Sequence, residues 1–137
     1  MTETSRTLVL LKPDTVRRGL VGEVLSRFEA KGLTIVALEH RTIDGAKADE
    51  HYAEHVERDF YPPLRAFVTS GPLVALVLEG DEAIEVVRAI NGATDGRKAA
   101  PGTIRGDLSL SNRENLVHGS DGEESAAREI ALWFPSL

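Results

Sequence analysis

Four segments of the chain carry the apolar pattern of β-strands. Residues 7–11 and 73–78 are continuous apolar runs, which are typical of buried, central strands. Residues 33–42 give a third strand, and residues 115–118 a short fourth one. An extended backbone in that last segment would place Leu116 and His118 on the same face. The pattern therefore predicts a small sheet with a buried centre.

Helical periodicity separates these strands. The first helix ends at Gly32 and has an apolar face with i, i+3, i+4 and i+7 spacing, formed by Val21, Val24, Leu25 and Phe28. Asp81 is the predicted N-cap of a helix that ends at Gly92, and its inward residues are Ala83, Val86, Val87 and Ile90. The last helix covers residues 122–134 and turns one stripe inward, made of Ala126, Ile130, Trp133 and Phe134.

The remaining segments are less regular. Residues 46–55 are helical but largely polar, and Pro62 and Pro63 interrupt the chain before a short helix over residues 64–68. Residues 93–114 contain at most one helical turn, at residues 103–105. A loop of more than about 12–15 residues in a compact domain is usually functional or disordered.

The order of the elements is β-α-β, a helical insertion, then β-α-β. It predicts the α+β class and a ferredoxin-like split βαβ fold: a four-stranded antiparallel sheet with helices packed on one face, plus the insertion and the long loop. A parallel, doubly wound sheet is the competing layout, but it fits four strands with an insertion less well. No linker divides the chain, so residues 1–137 are predicted to form a single domain.

Composition narrows the class of protein. The formal net charge of −6 argues against general nucleic-acid binding but leaves room for a small basic pocket around a phosphorylated metabolite. The sequence has no cysteine, which excludes disulfides and thiolate metal sites. It also has neither an apolar run that could cross a membrane nor the apolar core of a signal peptide. We therefore expect a cytoplasmic protein without membrane or nucleic-acid partners.

Candidate chemistry centres on residues 115–121. His118 would stand at the end of the fourth strand, where Gly119 permits a tight bend. Ser120 or Asp121 would cap the last helix, because each has a glutamate three residues further on, as a capping box requires. Free N–H groups at a helix N-terminus attract anions, so the histidine would be a nucleophile facing phosphate. The alternative is an ordinary hydrogen-bonded histidine in a βα turn.

Cationic and hydroxyl side chains elsewhere are candidates for holding that phosphate. Arg88 lies on the polar face of its helix, Thr94 follows that helix, and Arg105 has glycines close by on both sides. Each arginine could instead be a solvated surface residue, with Arg88 paired to Glu85. The chain has neither a Walker A motif nor G-x-G-x-x-G, so side chains would have to bind any nucleotide phosphates.

Other features have competing interpretations. Phe60 could stack on a base or be packed core, and Lys12 could reach into a cleft or be a solvated strand end. Residues 51–55 match the H-x-x-E-H pattern of some zinc proteases, in which His51 and His55 share a helix face. The pattern recurs by chance and no distant third ligand is evident, so we disfavour a protease.

These features together resemble the nucleoside diphosphate kinase family. The active-site signature of that family resembles residues 115–121, and the similarity extends to residues 7–13, 51–52, 69–72, 101–107 and 129–134. The resemblance implies transfer of the terminal phosphate of a nucleoside triphosphate to a nucleoside diphosphate through a phosphohistidine, with Mg²⁺ as cofactor. It also implies a homo-oligomer, with a hexamer favoured over a tetramer. A non-catalytic nucleotide-binding domain of the same shape, which would never acquire covalent phosphate, is the alternative.

The resemblance implies that His118 is the nucleophile. Four residues would act around it: Glu129 and Ser120 as supports, Tyr52 as a neighbour, and Lys12 beside the moving phosphate. An ordinary imidazole, with a pKa of about 6.5, is mostly neutral at pH 7, as a nucleophile must be. A carboxylate on the other ring nitrogen would fix its tautomer, and Glu129 lies on the margin of its helix's buried stripe. Donor and acceptor would use one site in turn, which gives ping-pong kinetics.

The resemblance also implies how the nucleotide and metal are bound. Phe60 would stack on the base, while Lys12 and Asn115 would bind sugar hydroxyls. The phosphates would be held by Arg88, Thr94, Arg105 and, at the innermost phosphate, His55. Mg²⁺ would ride on the phosphates without a direct protein ligand, reached through water by Asp121 or Glu54. The sequence departs from the family pattern at Asp95-Gly96, where many relatives have a proline, which predicts a looser loop with less rigid subunit contacts. Asn112 replaces the apolar residue that is common near the base.

Overall fold

The computed structural model describes residues 4–137. Its strands are β1 (Thr4–Leu11), β2 (Thr34–Arg41), β3 (Leu73–Asp81) and β4 (Val117–Gly119). Its helices are α1 (Pro13–Arg17), α2 (Val21–Lys31), α3 (Gly45–His51), α4 (Tyr61–Val68), α5 (Ala83–Asn91), α6 (Ile104–Leu108) and α7 (Glu123–Trp133). Within these residues, no helix combines the length and the apolar character that crossing a bilayer requires.

The four strands form one sheet in the order β2-β3-β1-β4, and all neighbouring strands are antiparallel. β1 lies between two neighbours: Leu10 is opposite Ala75 of β3 on one side and His118 of β4 on the other. This order is the ferredoxin-like arrangement. The predicted fold is therefore confirmed, and the parallel layout is wrong.

Helices cover both faces of the sheet rather than the single predicted face. One core joins Val9 of β1 to Phe28 of α2 and Val87 of α5. The other joins Leu10 of β1 to Trp133 of α7, together with residues of α3 and α4. Residues 8–11 are all apolar and fully buried because each side of β1 faces one of these cores. α7 and the helical insertion (α3 and α4) together supply this second layer.

Local sequence signals set the ends of α3 and α4, the two helices of the insertion between β2 and β3. α3 begins after Asp44, whose carboxylate accepts a hydrogen bond of 2.9 Å from the Lys47 N–H, and it ends at His51 rather than at residue 55. Pro62 and Pro63 lie in the first turn of α4, where a missing N–H does no harm. These prolines therefore begin the helix instead of interrupting the chain before it.

Two predicted helix caps are wrong. Asp81 remains the last residue of β3, and α5 begins after Glu82, whose φ of 50° is left-handed. The N-cap of α7 is Gly122, while the Ser120 hydroxyl bonds to Glu129 and the Asp121 carboxylate accepts a hydrogen bond from Ser125. The capping-box spacing is present, but these side chains have other partners.

The loop between α5 and β4 is tied to the rest of the fold. It contains the five-residue helix α6, longer than the single predicted turn, with the Thr103 hydroxyl accepting from the Gly106 N–H at 2.9 Å. Gly96 is buried, donates to the Ser111 carbonyl at 3.1 Å, and packs so closely against Ser109 that a Cβ would clash. Gly96 is therefore in close contact with this part of the loop, and the predicted looseness relative to the family stays a prediction.

β4 begins at Val117 rather than at residue 115. Leu116 has a φ of 74°, in the left-handed region, which ends the extended conformation there. Leu116 and Val117 both pack in the core formed with α2 and α5, whereas the His118 ring lies beside His51. The prediction that Leu116 and His118 share a face is wrong, because alternation requires an extended backbone throughout.

Candidate active site

A cleft of about 380 Å³ opens beside β4. It brings together nine of the predicted catalytic and nucleotide-binding residues: Lys12, Tyr52, His55, Arg88, Thr94, Arg105, Asn115, His118 and Glu129. Glu54 and Asp121, the candidates for water-mediated contact with a metal, also line it. Of the described residues, Ser120 and Phe60 are the predicted site residues that do not line this cleft.

The ring of His118 is oriented by a carboxylate. β4 places His118 opposite Leu10 of β1, with its side chain 20% exposed. Its Nε2 lies 2.8 Å from Oε1 of Glu129, a buried residue of α7. An ionised carboxylate only accepts hydrogen bonds, so Nε2 carries the proton and Nδ1 of the neutral ring keeps its lone pair.

Glu129 is held in turn by Ser120. The Ser120 hydroxyl donates to the same Oε1 atom at 2.9 Å, and the Leu8 N–H donates to the Ser120 oxygen at 3.2 Å. The carboxylate is thereby anchored to the backbone of the central strand. Ser120 is fully buried behind Glu129, which explains why it does not line the cleft.

Lys12 and Asn115 form a second fixed pair. The Lys12 ammonium donates to Asn115 Oδ1 at 2.9 Å, and Asn115 Nδ2 donates to the Thr94 carbonyl at 3.0 Å. Burial, together with the charge of Arg105, lowers the pKa of Lys12 to about 8, although Asp14 opposes this shift. The ammonium is therefore charged at neutral pH and loses its charge in mildly alkaline solution.

The two arginines of the cleft differ in their surroundings. Arg105 is buried and donates to three carbonyl oxygens: Asn115 at 3.2 Å, Gly92 at 2.8 Å and Val117 at 2.5 Å. A guanidinium has five N–H groups, so two remain for a ligand. Burial, followed by repulsion from Arg88, lowers the pKa of Arg105 to about 10, which keeps it charged. Arg88 is exposed on the polar face of α5, as predicted.

Tyr52, Glu54 and His55 line another side of the cleft, and residues 52–60 consist of turns. Tyr52 is buried, and among the described residues its hydroxyl has no hydrogen-bond partner. Burial raises the pKa of Tyr52, so the phenol stays neutral. The His55 ring lies 5.5 Å from the ring of Phe60, and Phe60 is 50% exposed. An open aromatic surface therefore lies next to this side of the cleft.

His51 is a neighbour of His118 that sequence reasoning does not identify. The two ring centroids are 4.7 Å apart and the rings are nearly perpendicular. The indole N–H of Trp133 donates to Nδ1 of His51 at 3.0 Å, so the proton of the neutral His51 ring lies on Nε2. Burial and the nearby charges lower the pKa of His51 well below its usual range. His51 and Trp133 are 82 positions apart, and no local pattern connects them.

His51, His118 and Glu129 are close enough to surround a metal ion, with one ligand atom of each within 4.8 Å of the others. Their hydrogen bonds do not suit that use. A ligating imidazole needs a free lone pair and donates its other N–H to an acceptor, whereas Nδ1 of His51 faces a donor. Moreover, α3 ends at His51, so His55 does not follow it on the same helix.

Asn91 is another residue of the cleft that the sequence does not reveal. It is 2% exposed and lines the cleft, and within residues 4–137 its Oδ1 has no hydrogen-bond partner. A Cβ on Gly119 would lie 3.0 Å from Asn91 Nδ2 and 3.1 Å from Val87. Glycine next to His118 thus permits α5 to approach β4 closely.

Comparison with known proteins identifies the family. The family model described as "Nucleoside diphosphate kinase" matches residues 5–137. The chain belongs to the nucleoside diphosphate kinase family. A nucleoside diphosphate kinase of a Nocardioides species is 79% identical over 132 residues, covering 96% of this chain and 98% of the relative. One from Cutibacterium acnes is 62% identical over 137 residues, covering 100% of this chain and 99% of the relative.

Solved structures agree with this assignment. The nucleoside diphosphate kinase of Halobacterium salinarum, in complex with CDP, superposes with a TM-score of 0.94 at 49% identity, covering 96% of this chain and 88% of that one. A family protein from Babesia bovis gives a TM-score of 0.91 at 43% identity, covering 95% and 88%. The kinase is therefore a nucleotide-binding phosphotransferase, and the zinc-protease hypothesis is wrong.

Proposed function

We propose that the kinase works by a ping-pong mechanism in which His118 carries the phosphate from a nucleoside triphosphate to a nucleoside diphosphate. The 2.8 Å bond between His118 Nε2 and Glu129 supports this most directly, because it leaves Nδ1 with the free lone pair of the ring. That ring lines a cleft which also contains Lys12, Arg88 and Arg105. A partly exposed nucleophile thus faces three cations that suit a polyphosphate.

In the first half-reaction, the Nδ1 lone pair attacks the γ-phosphorus. The P–O bond to the β-phosphate breaks, and the diphosphate leaves with the bonding electrons. In the second, an oxygen of another diphosphate attacks the same phosphorus and the P–N bond breaks, which restores His118. Glu129 keeps the Nε2 proton in place throughout and stabilises the positive ring, while Ser120 keeps Glu129 in position.

The other cleft residues would bind the substrate through its phosphates and sugar. Arg105 has two N–H groups left for phosphate oxygens, and its three backbone bonds hold them in place before substrate arrives. Lys12 and Asn115 are already paired at 2.9 Å and would together meet the sugar hydroxyls, with Lys12 also near the transferred phosphate. The remaining phosphate contacts would come from Arg88, Thr94 and His55.

In residues 52–60, one side chain would contact the base and another would lie near the reacting phosphate. Phe60 would stack on the base, since half of its surface is exposed and stacking tolerates any base. The Tyr52 hydroxyl has no partner among the described residues and would donate beside His118. These contacts favour broad use of nucleosides.

We propose that Mg²⁺ enters with the nucleotide's phosphates. The cleft suits this ion, because Asp121 and Glu54 line it and carboxylate oxygens are ligands that Mg²⁺ prefers. The hydrogen bond from Ser125 lowers the pKa of Asp121, which keeps this carboxylate ionised. Asp121 or Glu54 would reach the ion through water. When bound, the ion neutralises phosphate charge during transfer.

The mechanism is tested by labelling. Incubation with γ-labelled ATP and Mg²⁺ should place label on the protein in an acid-labile, base-stable bond. His118→Ala should abolish the label, whereas His40→Ala, a change on the exposed part of β2, should retain it. Full labelling of the His118→Ala variant would overturn the proposal, and a wild-type protein that binds ATP without labelling would be a non-catalytic binding domain.

We also infer a homo-oligomer, with a hexamer favoured over a tetramer. β2 is an edge strand of the sheet, and Leu38 on it is 45% exposed, while Leu110 in the long loop is 87% exposed. Open strand edges and exposed leucines are features that another copy of the chain would cover. Light scattering should give six times the mass of the 14.9 kDa chain, and four times that mass would favour the tetramer.

A cytoplasmic location stays a prediction, supported by the absence of cysteine from the sequence. Fractionation of cells that produce the protein would test it.

A further inference from the structure

A strained turn lies between Asn115 and His118. The Val117 N–H donates to the Asn115 carbonyl at 2.8 Å, and Leu116, between them, has a φ of 74°. This combination is the γ-turn with a positive φ, which is rare and strained, especially for a residue with a bulky side chain. Leu116 is fully buried, so it also packs in the core. Such a turn persists only where its surroundings hold it.

Residues 12–15 hold both backbone polar groups of Leu116. Its carbonyl accepts from the Lys12 N–H at 2.8 Å and from the Thr15 hydroxyl at 2.6 Å. Its N–H donates to Oδ2 of Asp14 at 3.1 Å. The start of α1 therefore binds both backbone groups of the strained residue, an arrangement that we call the clamp, while Arg105 binds the carbonyls of the residues before and after it.

Asp14 occupies an unfavourable place for a carboxylate. It is 1% exposed, and within residues 4–137 its Oδ1 has no hydrogen-bond partner. Burial raises the pKa of Asp14, and the nearby Lys12 charge only partly opposes this shift. A buried, half-bonded carboxylate lowers stability unless another interaction compensates for it. Here the Lys12 charge and the bond to Leu116 compensate, and without Asp14 the buried N–H of Leu116 would lose its acceptor.

We propose that Asp14 is a positioning residue, which holds the γ-turn at Leu116 and thereby sets the position of His118 relative to the Lys12–Asn115 pair. The inference rests on the proposed function of those three residues. Asn115, which bonds to Lys12 at 2.9 Å, stands on one side of the turn, and His118 follows on the other. A misplacement of about 1 Å between reacting groups can slow a reaction by ~100-fold.

The test combines changes at Asp14 and Leu116. Glycine adopts a φ of 74° without strain, so Leu116→Gly should keep the turn even without its clamp. In the wild-type background, Asp14→Ala should slow single-turnover phosphorylation of His118 by roughly 10- to 100-fold. Asp14→Asn keeps an oxygen acceptor but not the charge that raises the pKa of Lys12, so it should retain most of the rate when measured well below pH 8. Added to Leu116→Gly, Asp14→Ala should change the rate by less than about threefold. Glu85→Ala, at an exposed carboxylate, is the matched control.

Affinity and amide exchange separate positioning from general damage. Asp14→Ala should change ADP affinity much less than the rate, and it should accelerate hydrogen exchange at the Leu116 amide. If Asp14→Ala does not fold, the Asp14→Ala/Leu116→Gly protein is compared with Leu116→Gly, which carries the same loss of a buried side chain. Equal rates and equal stability of these two variants support the proposal, and a further loss of rate or stability in the double variant overturns it.

Three other results would also overturn the proposal. They are a normal rate in folded Asp14→Ala, an Asp14→Asn rate as low as that of Asp14→Ala, and an equal loss of rate when Asp14→Ala is added to Leu116→Gly. A wild-type protein that takes no label on His118 would instead refute the proposed function, while exchange at Leu116 would still test the clamp.

Discussion

The two walls of the cleft are built in different ways. In the wall formed by β4 and α7, His118 is linked through Glu129 and Ser120 to the backbone of Leu8. The other wall contains Tyr52, Glu54 and His55, which belong to a segment of turns, residues 52–60, and Phe60 of that segment is half exposed beside the cleft. One wall is fixed by a chain of buried hydrogen bonds, and the other offers an open ring.

This difference matches two demands that the proposed function makes. Phosphoryl transfer depends on charges that are already in place when the transition state forms, which a fixed wall provides. Binding of many nucleosides depends on a contact that ignores the identity of the base, which an exposed aromatic ring provides. Changes in the first wall should therefore reduce turnover, and changes in the second should reduce affinity.

The largest effect is expected from Glu129→Gln. The amide can donate to Nε2 and thereby move the ring proton to Nδ1, which removes the nucleophilic lone pair. We expect phosphorylation of His118 to slow by about 100- to 10,000-fold with little change in ADP affinity, measured by rapid-quench labelling and by titration. Glu124→Gln, on the exposed face of α7, is the control. A loss confined to affinity would contradict a fixed catalytic wall.

Arg105→Ala should reduce both turnover and stability. Loss of a pre-positioned phosphate donor should lower kcat by roughly 100-fold, more than it lowers nucleotide affinity. Because three carbonyl oxygens lose their donor, the free energy of unfolding should also fall by about 2–4 kcal/mol, measured by urea denaturation. Exposed Arg88→Ala should change it by less than about 0.5 kcal/mol. Equal stability losses would show that the three bonds do not stabilise the fold.

A pH profile examines Lys12. Its pKa is lowered to about 8, so the ammonium is charged below that pH and neutral above it. Because the charged form would bind phosphate, kcat/KM should fall as pH rises through 8, approaching about tenfold per unit. Lys12→Gln should have lower activity and lack this alkaline limb. A limb that persists in Lys12→Gln would assign the titration to another group.

The smallest effect is expected from Phe60→Ala. A stacked base contributes about 1 kcal/mol or more, so KM should rise by roughly fivefold while kcat stays nearly constant. Steady-state kinetics with a purine and a pyrimidine diphosphate should show similar shifts. A large drop in kcat would mean that this wall, too, positions the reacting groups.

Much of the fold follows from short-range pattern. The spacing of Val24 and Phe28 predicts α2, Gly32 ends it, and the apolar run of residues 7–11 predicts a central strand. That same run indicates that both faces of β1 are covered. The prediction of helices on one face is wrong because it relies on the order of the elements instead of on this signal.

The geometry of the site is harder to predict from the sequence. Leucine disfavours the left-handed region, so nothing local indicates the turn at Leu116, which is held by side chains about a hundred positions away. Ser120 fits a capping box, but its hydroxyl donates to Glu129 instead. The fold places a buried carboxylate, which is a strong hydrogen-bond acceptor, within its reach, and the local sequence pattern does not reveal that partner. The family resemblance predicts which residues line the cleft, whereas the structure shows which of them hydrogen-bond to one another.

Under the proposed mechanism, the bond between Trp133 and His51 would decide which of two adjacent imidazoles becomes phosphorylated. Nδ1 of His51 is occupied by the indole proton and Nε2 holds its own proton, so this ring has no electron pair to offer an electrophile. His118, less than 5 Å away, has its one proton directed at Glu129 and an unoccupied Nδ1. Chemical selectivity between two like side chains thus comes from what each is already bonded to, not from its distance to the substrate.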